Sequence, residues 1–167
     1  MWISRSRLLN SQIVIILLNF NLNNIDDRFA KKITKIYSKL FYDFATSIDN
    51  RGSFPIHIIL EEAHRYVQND NDLSILGYNI FDRITKEGRK YGIILGLITQ
   101  RPSELSITSL SQCSNFIVLR MFYPDDVNII KSITSTLNDN VFEKIKTFLP
   151  GNALLFGVAF KLPLLAK

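Results

Sequence analysis

Four short hydrocarbon runs recur along the chain, each separated from the next by a segment with helical spacing. They are Ile13–Leu18 (IVIILL), Ile56–Leu60 (IHIIL), Ile93–Thr99 (IILGLIT) and Phe116–Leu119 (FIVL). Short runs rich in Ile, Val and Leu, bounded by polar or Gly/Pro breaks, suit strands buried on both faces better than helices. Between the first two, Phe29, Ile33, Ile36, Tyr37, Leu40, Phe41 and Phe44 fall at helical intervals, giving a helix that runs to about Ile48. Asn24, Asp26 and Asp27 are N-cap candidates for it. Asp72–Lys90 reads as a second amphipathic helix through Leu73, Leu76, Ile80 and Ile84, ended by Gly88 and Gly92. Ser103–Cys113 reads as a short helix, as do Pro124–Ile133 and Asn138–Phe148. Ala153–Val158 and Leu162–Leu165 close the chain as two short strands. Strands alternating with helices predict an α/β unit, a mostly parallel sheet flanked by helices, spanning residues 1–167 as a single domain.

Composition narrows the class. A chain of 167 residues that is 47% hydrophobic can bury a full core, which excludes wholesale disorder. One cysteine, Cys113, excludes a disulfide scaffold and a zinc cluster of familiar spacing. The longest purely apolar run, Ile13–Leu18, falls far short of the ~20 residues that cross a bilayer. The expectation is a cytoplasmic protein with no membrane partner. The net charge of +5 permits a polyanionic partner without demanding one. Lys31, Lys32, Lys35 and Lys39 lie mostly off the apolar stripe of the first helix, as a solvated face would place them; DNA contact is the alternative.

Open α/β sheets bind ligands at the carboxyl ends of their strands. Two such ends carry unusual residues here. IHIIL runs directly into Glu61 and Glu62. A hydrocarbon strand ending in paired acids is the Walker B pattern of nucleotide hydrolases, in which one acid serves Mg²⁺ and the other the attacking water. Acids that merely favour a helix N-terminus fit the same residues. The second end is IILGLITQRP, where Gln100 and Arg101 leave the strand in position to meet a phosphate; a polar exit punctuated by Pro102 fits as well. Between the two, Arg89 and Lys90 follow Gly88. They read either as cations complementing a helix C-terminus or as an arginine finger. His57, inside an apolar strand, reads as a satisfied core residue. No Gly-x₄-Gly-Lys-Ser/Thr and no Gly-x-Gly-x-x-Gly occurs among the seven glycines, so the backbone cradle that a nucleotide's phosphates require is missing from these residues.

The order IIL-EEAHRYV, FDRITKEGRKYGIILGLITQRPSELS, LSQCSNFIVLRM, LPGNALLFG resembles the C-terminal half of the ATPase domain of HerA-type DNA translocases, relatives of FtsK and of conjugative coupling proteins. The similarity runs from about Ile13 to the C-terminus and is most specific over Lys86–Ser106. It implies a RecA-like P-loop NTPase core that lacks the P-loop strand and helix, together with the family's N-terminal barrel. It implies ATP and Mg²⁺ as cofactors of the complete enzyme. By position, Glu61 matches the acid beside Mg²⁺, reached directly or through water, and Glu62 the catalytic acid that polarises water. Gln100 matches the sensor glutamine, with Arg101 beside it on the nucleotide. Arg89 matches the finger inserted into a neighbouring subunit's site. The resemblance further implies a hexameric ring around double-stranded DNA, working with a nuclease or effector such as a NurA-like protein in end processing or phage defence. Two other readings stay open: a non-catalytic remnant or binding module within a ring, and a secretion- or conjugation-type ATPase. On this resemblance the isolated chain is expected to begin inside the ATPase domain and to be inactive alone.

Overall fold

In the computed structural model, which describes residues 2–7, 14–69, 77–134 and 137–167, the centre of the molecule is a parallel strand pair. β3 (Ile56–Leu60) lies beside β4 (Ile93–Leu97) in the register Ile56↔Ile93, Ile58↔Leu95 and Leu60↔Leu97. Side chains alternate across a strand. Ile56, Ile58, Leu60, Ile93, Leu95 and Leu97 therefore share one face, and all of them pack into the main core. That core is capped by α1 (Asp27–Ser47) and α2 (Ile80–Glu87), which contribute Ala30, Tyr42, Ala45, Ile80, Phe81 and Ile84.

The opposite face of the pair differs from expectation. Ile59 is 66% exposed, Ile94 54%, and His57 is exposed rather than a core residue. A hydrocarbon run satisfies the requirement for a doubly covered strand, but it does not say which faces the chain itself covers. Here α1 and α2 contact each other as well as the pair, so they cover the same side.

α1 forms where the periodicity places it, and Asp26 caps it by accepting a hydrogen bond from the Arg28 N–H (3.0 Å). Its orientation is inverted relative to its apolar stripe. The residues turned to the core are Ala30, Thr34, Lys35, Ser38, Tyr42 and Ala45, while Phe29, Ile36, Leu40 and Phe44 are exposed. Small side chains let the helix approach the core closely. Lys35 is only 4% exposed, and Lys31 donates to Gln68 Oε1 (3.0 Å), so the lysines are not a uniformly solvated face.

The second helix is shorter than the spacing suggests. Gly77 takes a left-handed φ of 71°, and Asn79 caps α2 by accepting from the Phe81 N–H (3.0 Å), so the helix starts at Ile80. The expected earlier turns, with Leu73 and Leu76, fall outside the described residues. Gly88–Tyr91 continues α2 as a 3₁₀ turn.

The remaining ladders among the described residues are antiparallel. β2 (Val14–Asn19) pairs with β1 (Trp2–Arg7). After a short α3 (Ile107–Ser111), β5 (Asn115–Val118) pairs with β6 (Ala153–Gly157), and β6 with β7 (Leu164–Ala166). The first and fourth hydrocarbon runs are thus strands, but their hydrogen-bonded neighbours are these hairpin and meander partners rather than β3 and β4. The three-stranded sheet has its own core with α4 (Pro124–Ile133) and α5 (Asp139–Lys146), built on Val118, Val127, Ile130, Phe142, Ile145, Leu154 and Phe156. Among the described residues no helix is long and apolar enough to cross a membrane.

Candidate functional site

The carboxyl end of β3 is fixed by two backbone hydrogen bonds to the exit of β4. The Ile98 N–H donates to Leu60 O, and the Ala63 N–H to Ile98 O, both at 2.9 Å. Between these bonds the chain turns through Glu61 and Glu62 into a short 3₁₀ turn, Ala63–Arg65. Glu62 makes the turn with φ 51° and ψ 45°, and it is the sole non-glycine residue with positive φ among those described. A Cβ in this region costs roughly 1–2 kcal/mol, and such strain persists where surrounding contacts enforce it.

The turn brings the two strand ends together. Gln100 Nε2 donates to Glu62 Oε1 at 2.9 Å. His64 Nδ1 stands 3.5 Å from Glu62 Oε2 and 3.0 Å from Thr99 Oγ1, and that hydroxyl also accepts the Arg101 N–H at 3.0 Å. Glu61 is exposed, with no side-chain hydrogen bond or ion pair among the described residues. Arg101 points away from this group. Its guanidinium donates to Glu104 Oε1 at 2.8 Å, and that hydrogen bond raises its already high pKa.

Arg89 lies elsewhere. It sits in the 3₁₀ turn that precedes β4, whereas Gln100 follows β4. The strand alone separates the two by about 16 Å at ~3.3 Å per residue. Arg89 is exposed and makes no hydrogen bond or ion pair among the described residues. Its turn is nevertheless tightly held. Gly92 closes it with φ 76°, and a Cβ there would come within 2.9 Å of Gly52 Cα. Just before the turn, Tyr42 Oη donates to Glu87 Oε2 at 2.9 Å. Burial, and then that hydrogen bond, push the Tyr42 phenol above its usual pKa, which keeps it a donor.

Three residues that the sequence does not single out complete the frame. His64 and Thr99 stand beside Glu62, and their only signal is adjacency to the acid pair and to Gln100. Asp82, on α2, accepts from Ser106 Oγ (2.8 Å) and Ser109 Oγ (2.5 Å), both serines being buried. Through it α2, which leads into the turn holding Arg89, is tied to the start of α3. Asp82→Ala leaves two buried hydroxyls without their acceptor and is expected to lower stability by about 2 kcal/mol or more, with Asp82→Asn costing less. Urea unfolding of the three proteins checks this.

No family profile matches the chain. Individual relatives do. It is 32% identical over 143 residues to the DNA double-strand break repair helicase HerA of Pyrococcus furiosus, covering 84% of this chain and 26% of that protein. It is 36% identical over 140 residues to a probable helicase of Methanocaldococcus jannaschii, covering 83% and 26%. To the HerA of Saccharolobus solfataricus it is 34% identical over 126 residues, covering 75% and 25%. The chain therefore spans about a quarter of the length of these relatives. Among solved structures, the genome packaging NTPase B204 of Sulfolobus turreted icosahedral virus 2, in complex with AMPPCP, superposes with a TM-score of 0.58 at 20% identity, over 85% of this chain and 62% of that one. The DNA-packaging ATPase B204 of Sulfolobus turreted icosahedral virus gives 0.58 at 21% identity, over 87% and 63%. The described α/β architecture is thus that of the packaging NTPases, and over the residues that align the chain belongs to the HerA-like helicase family.

Proposed function

We propose that this chain is the C-terminal portion of a HerA-like ATPase that moves double-stranded DNA, with Glu62 as the group that orients and deprotonates the attacking water. The observation that carries this reading is the Glu62–Gln100 hydrogen bond at the carboxyl ends of a parallel strand pair, with Glu62 held in a left-handed turn. A carboxylate in water-bridging reach of a γ-phosphate serves as the base. A glutamine amide beside it can pass between carboxylate and phosphate as the phosphate's charge changes.

Glu61 fits a place near Mg²⁺. Its carboxylate is open, and this ion usually takes one or two protein carboxylates together with phosphate oxygens and waters. Among the described residues no cluster of three or more His, Cys, Asp and Glu could hold a metal by itself. When bound, Mg²⁺ would offset negative charge on the phosphate oxygens. Arg101, paired with Glu104, would have to exchange that partner to reach the nucleotide. Arg89, across the strand pair from Glu62 and without a partner among the described residues, suits a role in a neighbouring subunit's site, as in a hexameric ring. A nuclease or effector of the NurA-like kind would act on the DNA so delivered.

These 167 residues carry no Gly-x₄-Gly-Lys-Ser/Thr motif. The 167-residue chain alone is therefore expected to bind ATP weakly or not at all, and titration calorimetry with and without Mg²⁺ measures it. Low-micromolar, Mg²⁺-dependent binding would reveal a phosphate site of another kind and overturn the view of the chain as a portion of the ATPase domain.

A further inference from the structure

In the strained turn at Glu62, Gln100 occupies only Oε1 of the carboxylate. The other oxygen faces His64. The imidazole is 16% exposed, its Nδ1 is 3.0 Å from Thr99 Oγ1, and the Glu62 Oε2 atom is 3.5 Å from the same nitrogen.

Thr99 Oγ1 can pair with Nδ1 as donor or acceptor, and the nearby carboxylate favours Nδ1–H as the donor. If Nδ1 carried a lone pair, that lone pair would face a carboxylate oxygen at 3.5 Å in a half-shielded position, which is repulsive. If Nδ1 carries the proton, it donates to Thr99 Oγ1 and turns its positive end towards Glu62. Thr99 Oγ1 has two acceptor sites, and the Arg101 N–H fills one of them. The second is free for the imidazole N–H. The three residues then form a bracket between the two strand exits: Thr99 on β4's exit, His64 on the turn after β3, and Glu62 between His64 and Gln100.

We infer that His64 is a positioning residue for Glu62: its Nδ1–H, anchored on Thr99 Oγ1, holds the Glu62 carboxylate in the left-handed turn with Oε1 on Gln100. The inference rests on the reading of Glu62 as the hydrolytic carboxylate. His64 touches neither substrate nor water in this role; it acts through Glu62.

The first test uses the 167-residue chain. Long-range ¹⁵N–¹H correlation of the histidine rings at alkaline pH is expected to show His64 as the Nδ1–H tautomer; the Nε2–H tautomer overturns the bracket. Asparagine places an amide N–H where Nδ1 stands, and glutamine places one nearer to Nε2. His64→Asn is therefore expected to keep the wild-type shifts of the Gln100 side-chain amide and the Glu62 backbone amide. His64→Ala, His64→Gln and Thr99→Val are expected to move them to the values seen in Glu62→Ala. Wild-type shifts in both His64→Ala and Thr99→Val overturn the proposal, and the use of two sites guards against one variant failing to fold. In the ATP-hydrolysing protein that contains this chain, His64→Ala is expected to lower kcat by about 10–100-fold with KM for ATP unchanged, and His64→Asn to recover most of it. Unchanged kcat in His64→Ala overturns a catalytic consequence of the bracket. Normal hydrolysis by Glu62→Gln would instead remove the hydrolytic reading of Glu62, while the spectra of the isolated chain would still decide whether the bracket exists.

Discussion

Glu62→Gln is expected to reduce ATP hydrolysis by about 10²–10⁴-fold in the complete protein while leaving the fold and nucleotide binding intact. An amide keeps the size of the side chain and one acceptor atom, but it cannot take a proton from water. A second substitution at the same position separates chemistry from strain. Glu62→Gly also removes the base, but it relieves a φ of 51° that costs a residue with a Cβ roughly 1–2 kcal/mol. Glycine's extra freedom in the unfolded chain takes back about 0.5–1 kcal/mol of that relief. Glu62→Gly is therefore expected to unfold at the same or a higher urea concentration than the wild type, with a gain of at most about 1.5 kcal/mol, although hydrolysis is lost. Clear destabilisation by Glu62→Gly would mean that the carboxylate's contacts with Gln100 and His64 outweigh the backbone strain. Near-normal hydrolysis by either variant would remove Glu62 from the base role, and Glu61, exposed one residue earlier, would be the next residue to substitute.

The strand ends were legible because charge and hydrocarbon do not mix within a buried strand. The change from Leu60 to Glu61 marks the end of β3, and the polar Thr99–Gln100 step marks the exit of β4 within two residues of the observed Leu97. Once both ends are known and the pair is parallel, the acids and Gln100 come to the same end of the pair, and the left-handed turn at Glu62 makes the contact. What the sequence could not express is which side of each element finds a partner. Ile59 and Ile94 are as apolar as Ile58 and Leu95, yet one pair is exposed and the other packed. The same ambiguity inverted α1, where Phe29, Leu40 and Phe44 define the period while Ala30, Ser38 and Ala45 define the contact. Pairing direction was equally silent, since FIVL suits an antiparallel neighbour as well as a parallel one. Nothing local marks His64, because its setting depends on Thr99, 35 residues away. Asp82 lies 24 and 27 residues from its serines, and neither spacing carries a local signal.

Arg89→Ala is expected to have the largest effect on hydrolysis, a loss of roughly 10³–10⁵-fold in the assembled protein, by analogy with other arginine fingers. Its effect on stability is expected to be small, because the side chain is exposed and its partners among the described residues are none. The contrast is itself diagnostic, since a residue that merely complements the end of α2 would show the reverse: a few tenths to about 1 kcal/mol of stability and little effect on rate. The geometry states where the charge can act. Arg89 precedes β4 and Gln100 follows it, so Arg89 and the Glu62 turn of one chain lie at opposite ends of the strand pair and cannot share one phosphate. The decisive measurement mixes Arg89→Ala subunits with Glu62→Gln subunits, each inactive alone. At some mixed boundaries an intact Glu62 meets an intact Arg89, and partial hydrolysis should return in proportion to the number of such boundaries. Mixed assemblies that exchange subunits and yet stay inactive would leave strict coupling around the whole ring as the remaining way to keep Arg89 in trans. Titrating wild-type subunits into either variant tests that coupling directly: a linear rise in activity with wild-type fraction argues for independent boundaries, and a steep rise near saturation argues for a ring that fires as a unit.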